Sequence, residues 1–408
     1  MDSAGSRIGV AGLGFISPLG DDIDSAWARL MAGESGIQRL SLPGLPDSAA
    51  AQVLFDPAKV LTTLQQIGTD RVSQIALGAA RNALIDADVP GWPDAERAGL
   101  FVGTGMGGAA AMDTGYRALY EGNRVPPLTV PSSMVNGAAA VIAINTGIRG
   151  PVITYAVACA SSAVAIAEAA HALRRGEIDI ALAGGTEAPL VRGTVAAWQA
   201  LRTLAPPDKE DVGRSCRPFS SDRAGLVLGE GAAFLVLQRE DDLGHRGHAP
   251  RAWLAGSAVR CDASHLTNPD VRGQVATIKA SLQASGLSPS QIGYCNAHGT
   301  ATMGGDPVEC EGLRQVWGNA AGALHVSSTK AAHGHLLGAA GALEACWTVL
   351  AVQRGEIPPT RGVRSIDPRC EGVAHVLGAG VQQPALRHAA SNSFAFGGTD
   401  ATLIFSRA

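Results

Sequence analysis

Short apolar runs recur along the 408 residues, most of them ending near glycine and followed by stretches of helical spacing. That alternation constrains the fold more than any other feature. A strand apolar on both faces needs helices on both sides, which means an α/β protein with buried strands. Strands are expected at 8–13, 100–102, 152–158, 178–183 and 232–237, with an Ala-rich helix at 161–173. Beyond them come helices at 273–284, 307–317 and 337–352, and strands at 292–296, 323–326, 389–396 and 402–405. The polar, Pro250-broken stretch 243–252 marks a boundary between halves 1–245 and 246–408. Both halves end strands at reactive residues followed by small-residue helices, a hint of duplication. Residues are 46% hydrophobic but only 4% aromatic, so Ala, Val, Leu and Ile build the core. Many of the 51 glycines then serve close backbone approach.

A formal net charge of −4 and the absence of a basic run argue against nucleic-acid binding. No apolar run reaches the length of a membrane-spanning helix, and the first twenty residues do not read as a signal peptide. The seven scattered cysteines never form CxxC, which suits reduced thiols in a cytoplasmic protein and no metal framework.

Four reactive side chains sit in runs of small residues. Cys159 lies in AVACASS, His298 in NAHGTATMGGD, and Lys330 with His335 in SSTKAAHGHLLGAAGALE. A thiol, two imidazoles and an ammonium are the groups needed to carry an acyl chain as a thioester and make a carbon nucleophile beside it. Cys159 falls between a buried strand and a helix N-terminus, where the dipole lowers a thiol pKa from its usual value of about 8.5. Its own N–H can face an acyl oxygen. Local sequence leaves nucleophile and core thiol equally open. His298 follows a strand and is expected at its exposed end, although a structural histidine fits the local sequence as well. Thr300 and Thr302 share its loop and can bond an amide-bearing arm. Asp306 and Glu309 suit capping or pairing. Lys330, if buried, needs a partner, and Glu344 is the nearest in sequence. His335 is expected at a helix start, neutral and offering an N–H. His333 completes an HGH triplet, but no further ligand stands at zinc spacing, so no metal is expected. GTGMGG at 103–108 lacks the features of a phosphate loop and reads as close packing.

In order along the chain, VAGLGFISPLG, VPSSMVNG, GIRGP with VACASS, RPFSSDRAGLVLGEGA, DASHLT, NAHGTATMGGD, STKAAHGHLLGAAGALE and SNSFAFGGTD closely resemble the β-ketoacyl synthases. The resemblance implies the thiolase fold, a duplicated α/β domain in five layers that functions as a dimer. It casts Cys159 as the nucleophile taking an acyl chain from acyl carrier protein. His298 and His335 would bond the malonyl thioester carbonyl as decarboxylation makes an enolate, with Lys330 and Glu344 setting the electrostatics. The N–H groups of Cys159 and Phe396 would form an oxyanion hole. Thr300 and Thr302 would hold the phosphopantetheine, Phe396 would gate the acyl pocket, and Met106 and Thr129 would help decide which chain fits. Substrates arrive on the carrier's phosphopantetheine, so no cofactor is expected.

His335 stands where degradative thiolases have a second cysteine. The chain also lacks the Cys-His-Asn set of initiating synthases, and it retains the nucleophile that chain-length factors have lost. An elongating synthase fits best. Ala395 and Asp400 replace the usual Gly and Asn, His333 replaces a small polar residue, and Thr129 replaces a large aromatic near the dimer seam. The helix before Arg71 lacks the basic cluster that greets an acidic carrier, leaving Arg71, Arg124 and Arg202 as a docking patch. These departures favour a specialised polyketide, polyene or similar lipid pathway, with a homodimer or a heterodimer containing a chain-length-factor-like subunit. A non-decarboxylative acyltransferase and a length-setting partner subunit are the competing readings.

Overall fold

The computed structural model describes residues 6–244 and 249–408; positions 245–248 of the expected linker lie outside them. The first half supplies β1 (Ile8–Ile16), β2 (Ala98–Gly103), β3 (Val152–Tyr155), β4 (Ile180–Glu187) and β5 (Gly231–Arg239). They lie in the order β1-β5-β4-β2-β3, the first two pairings antiparallel and the rest parallel. The second half supplies β6 (Ala252–Cys261), β7 (Tyr294–Asn296), β8 (His325–Ser327), β9 (Ala374–His375), β10 (His388–Phe394) and β11 (Thr399–Arg407). Their order is β6-β11-β10-β7-β8-β9, again two antiparallel pairings and then parallel ones. The chain thus walks the same path twice, β9 being an addition. The two sheets join where Ile8–Val10 of β1 pairs with 252–254 of β6.

The helices of ten residues or more among the described residues are α1 (Arg71–Asp86), α2 (Ala109–Tyr120), α3 (Gly137–Thr146), α4 (Ser161–Arg174), α5 (Val271–Ser285), α6 (Gly305–Trp317) and α7 (Ala340–Arg354). Helices α1 and α3 cover the outer face of the first sheet, and α5 with α6 covers the second. Between the sheets lie α4 and α7, completing five layers. Every α7 residue from Ala340 to Val352 is buried, so this helix has no polar stripe. Small residues make that possible: a Cβ on Gly341 would stand 2.9 Å from the Ala163 Cβ of α4. A Cβ on Gly103, where β2 ends, would lie 2.2 Å from the backbone N of Ser162. The front of α4 therefore sits directly on the strand ends. Among the described residues no helix is long and apolar enough to cross a membrane.

Element ends depart from expectation at the reactive positions. β3 stops at Tyr155, short of Cys159, because Ala158 takes a left-handed φ of +48°. α7 begins at Ala340 instead of 337, behind a short turn in which Leu337 takes φ +45°. β10 ends at Phe394, since 395–398 form the turn into β11. Non-glycine residues in the left-handed region store strain, and two of them flank the reactive groups.

Candidate active site

Cys159 sits in the 3-10 turn Ala158–Ala160 that leads into α4. His335 lies in the loop ahead of α7, not on the helix. Its N–H donates to Val227 O at 2.7 Å, and its carbonyl accepts from Gly229 N at 2.9 Å. This clamp brings His335 Nε2 to 3.0 Å from the Cys159 sulfur. His298 follows β7, and its ring stands almost perpendicular to His335, centroids 5.4 Å apart. It is buried and not exposed as expected, because the loop is pulled inward by Glu309. That carboxylate accepts the N–H groups of His298 (2.9 Å) and Gly299 (2.7 Å) and the Asn392 amide at 3.1 Å. Ligand atoms of Cys159, His298 and His335 all lie within 4.8 Å of one another. A metal ion held there would take the thiol out of service.

Lys330, fully buried, pairs with the equally buried Glu344 and lies 3.5 Å from His298 Nδ1. Burial pushes the Glu344 carboxyl up to about 7, against the pull of Lys330. Burial and then the Lys330 charge hold His298 and His335 well below the ordinary imidazole value, so both are neutral donors. His333 points away, bonding Thr329 Oγ1 at 3.0 Å and Gly334 O at 2.8 Å. The expectation of a lowered thiol pKa is overturned. Burial pushes Cys159 up to about 12, although Lys330 and the Phe396 N–H pull it down. The thiol is neutral at rest and gives up its proton as sulfur attacks.

The Phe396 N–H donates to the Cys159 sulfur, which sets that amide beside the thiol. The Phe396 ring, half-buried, stacks on Trp198 with centroids 6.1 Å apart. A cavity of about 300 Å³ reaches the thiol, lined by His298, His335, Thr300, Thr302, Phe396 and Asp400 among others. Thr300 and Thr302 hydroxyls bond each other at 3.0 Å. Asp306 pairs instead of ionising freely: it accepts the Phe219 N–H at 2.8 Å beside Arg223, while burial raises it to about 7.

Three expected positions fall elsewhere. Met106 is exposed and Thr129 half-buried on the face carrying α2 and α3, and neither lines the cavity of this single chain. Arg71 is not a free docking cation. Its guanidinium is spent on Glu230 (2.6 and 2.9 Å) and on Val53 O at 3.0 Å, tying α1 to the start of β5. Arg124 and Arg202 are exposed, and Arg202 lies between Leu201 and Thr203, which line the cavity.

One residue escaped the sequence reading. Glu187, fully buried at the end of β4, accepts N–H groups from Gly105 (2.7 Å), Met106 (3.0 Å) and Gly338 (2.9 Å). It ties the GTGMGG loop to the turn behind His335. Burial raises it to about 7 in spite of those donors. A lone carboxylate ending an otherwise apolar strand was the available signal.

A cysteine before a central helix, two neutral imidazoles and a buried ammonium, on a twice-walked five-layer α/β frame, define an acyl-transferring enzyme of the thiolase fold. The family models agree: residues 5–242 match the β-ketoacyl synthase N-terminal domain and residues 251–364 its C-terminal domain. The chain belongs to the β-ketoacyl synthase family and is a carbon–carbon bond-forming acyltransferase. It is 38% identical to nodulation protein E of Rhizobium sp. (strain N33), over 98% of each chain. It is 35% identical to the 3-oxoacyl-[acyl-carrier-protein] synthase 2 of Coxiella burnetii, again over 98% of each. A solved structure, the ishigamide ketosynthase/chain length factor, superposes with a TM-score of 0.91 at 30% identity and 99% coverage of both chains.

Proposed function

We propose that this chain extends an acyl group by decarboxylative condensation with malonyl-acyl carrier protein. The convergence of Cys159, His298 and His335 at one cavity carries the reading. Cys159 sulfur attacks the incoming acyl thioester, and the thiol proton ends on the departing carrier thiol. Acyl-Cys159 and free carrier result. Malonyl thioester then loses carbon dioxide, and the electron pair moves onto its carbonyl oxygen as an enolate facing the His298 and His335 N–H groups. Each such donor is worth roughly 10²–10³ in rate. The enolate carbon attacks the Cys159 thioester, and the amides of Cys159 and Phe396 stabilise the oxyanion. Collapse releases 3-oxoacyl-carrier and the Cys159 thiolate, which takes up a proton. Thr300 and Thr302 line the route for the pantetheine arm, and Arg202 and Arg124 are the cations free to meet an acidic carrier.

A partner subunit completes the acyl end of the pocket in this reading. Tyr116, Leu119, Tyr120, Val130 and Ile144 are exposed by 53–83% beside the free edge of β3, a large apolar face for a monomer. Met106 and Thr129 lie on that same face, which explains their absence from the cavity of one chain. A second copy and a chain-length-factor-like subunit both suit it. The likeness to the ishigamide pair and the departures at Ala395, Asp400 and His333 support a specialised lipid or polyketide pathway. Incubation with acyl- and malonyl-carrier proteins is expected to yield the 3-oxoacyl product, with acyl-enzyme visible by mass spectrometry at Cys159. Condensation that survives in Cys159→Ala would overturn the assignment.

A further inference from the structure

Asp400 has no role in the chemistry just described, yet it is among the oddest side chains in the molecule. It is only 3% exposed, its Oδ2 has no hydrogen-bond partner, and it lines the same cavity as the thiol. It is the second residue of β11, opposite Phe394, at the base of the turn that carries Phe396. The facing segment after β6 supplies a second carboxylate, Asp262. A Cβ placed on Gly273 at the start of α5 would lie 2.4 Å from Asp262 Cβ and 3.0 Å from Asp400 Oδ2, so the two side chains approach one point, while Asp262 Oδ1 accepts the Ser264 N–H at 3.0 Å. The two segments are zipped together across it: Asp262 N–H donates to Gly398 O at 2.9 Å, and Gly397 N–H to Leu266 O at 2.8 Å.

Among the described residues no cation pairs with either acid. Arg260 stands opposite Asp400 in the β6–β11 register but is exposed and forms no ion pair with it. On α5, Arg272 is taken by Asp270, and Asp270 itself and Glu309 on α6 are two further acids facing Asp400. An ionised Asp400 beside another carboxylate is repelled and its buried Oδ2 is unsolvated, and both costs vanish if the turn lifts and water enters.

We infer that Asp400 and Asp262 form a proton-controlled latch beneath the Phe396 turn: a protonated Asp400 lets the turn lie closed over the thiol cavity, and its ionisation releases the turn. Asp400 is then a positioning residue for Phe396, and access of thioesters to Cys159 depends on pH. Burial first, then Asp262, raises the Asp400 carboxyl to about 8 in the closed form. An open turn would return it to the ordinary carboxylate range of about 4. The closed form binds the extra proton, so closure weakens as pH rises from about 4 to about 8 and is unaffected outside that window.

The latch rests on the ketosynthase reading only for its consequence, and its test needs no substrate. Hydrogen exchange is followed by mass spectrometry in peptides covering 262–270 and 395–400, corrected for intrinsic exchange. Wild-type protection is expected to fall between pH 5 and 8 by up to about tenfold per pH unit, the limit for one linked proton. Asp400→Asn should remove that dependence. Should the variant fold poorly, Asp262→Asn provides the second arm, moving the transition to lower pH by removing the repulsion. Protection in wild type that does not change with pH, or an Asp400→Asn profile that matches wild type, overturns the latch. Acylation of Cys159 in the same preparation separates that failure from failure of the ketosynthase reading.

Discussion

At the scale of single residues, the Lys330–Glu344 pair decides how the imidazoles behave. Both partners are fully buried, and the ammonium lies against His298. Lys330→Met leaves Glu344 without its counter-ion, a loss of about 3–5 kcal/mol when a buried pair is broken on one side. It also removes a charge that holds both imidazoles low, so their pKa values rise and they protonate at higher pH. The acid limb of malonyl-carrier decarboxylation is therefore expected to shift upward, measured as the pH dependence of carbon dioxide release. Lys330→Met/Glu344→Gln should recover stability in thermal unfolding but not the rate. A Lys330→Met profile with an unmoved acid limb would remove Lys330 from the electrostatics of the site.

Elements bring these residues together through close backbone approach. The strand end at Gly103, the front of α4 and the turn behind His335 meet with no room for a Cβ, and Glu187 bonds two of those three segments. Gly103→Ala is expected to destabilise the fold by about 1–3 kcal/mol through overpacking and to lower Cys159 acylation by tilting α4. Gly322→Ala, where nothing lies within 4 Å, is the control and should stay within about 0.5 kcal/mol of wild type in denaturant titration. Element identity was legible in the sequence because period and glycine punctuation are local signals. Element ends at Ala158 and Leu337 were not, because left-handed backbone at non-glycine residues is imposed by packing and leaves no mark on composition.

For the molecule as a whole, the apolar face beside β3 and the duplicated path through the sheets point in one direction. A chain that exposes Tyr120 by 83% and Ile144 by 81% is expected to sediment as a dimer, alone or with an unlike subunit. The double substitution Tyr120→Asp/Ile144→Asp should shift sedimentation to the monomer while leaving the circular dichroism of the fold intact. An unchanged sedimentation coefficient would place the partner surface elsewhere.

The sequence by itself determined the α/β class and the family, and it singled out the four side chains that the fold brings together. Each is written in local runs of residue types whose chemistry or spacing has few alternatives. Only the tertiary structure decided the electrostatics. Arg71 left the docking patch because Glu230, distant in sequence, faces it. Burial, a property of the whole packing, pushes the Cys159 thiol up against the pull of Lys330. Asp400 gained meaning only when the fold set it against Asp262 beneath the Phe396 turn. Charge and hydration depend on everything within a few ångströms, and neighbours across the fold are not written in the order of the chain.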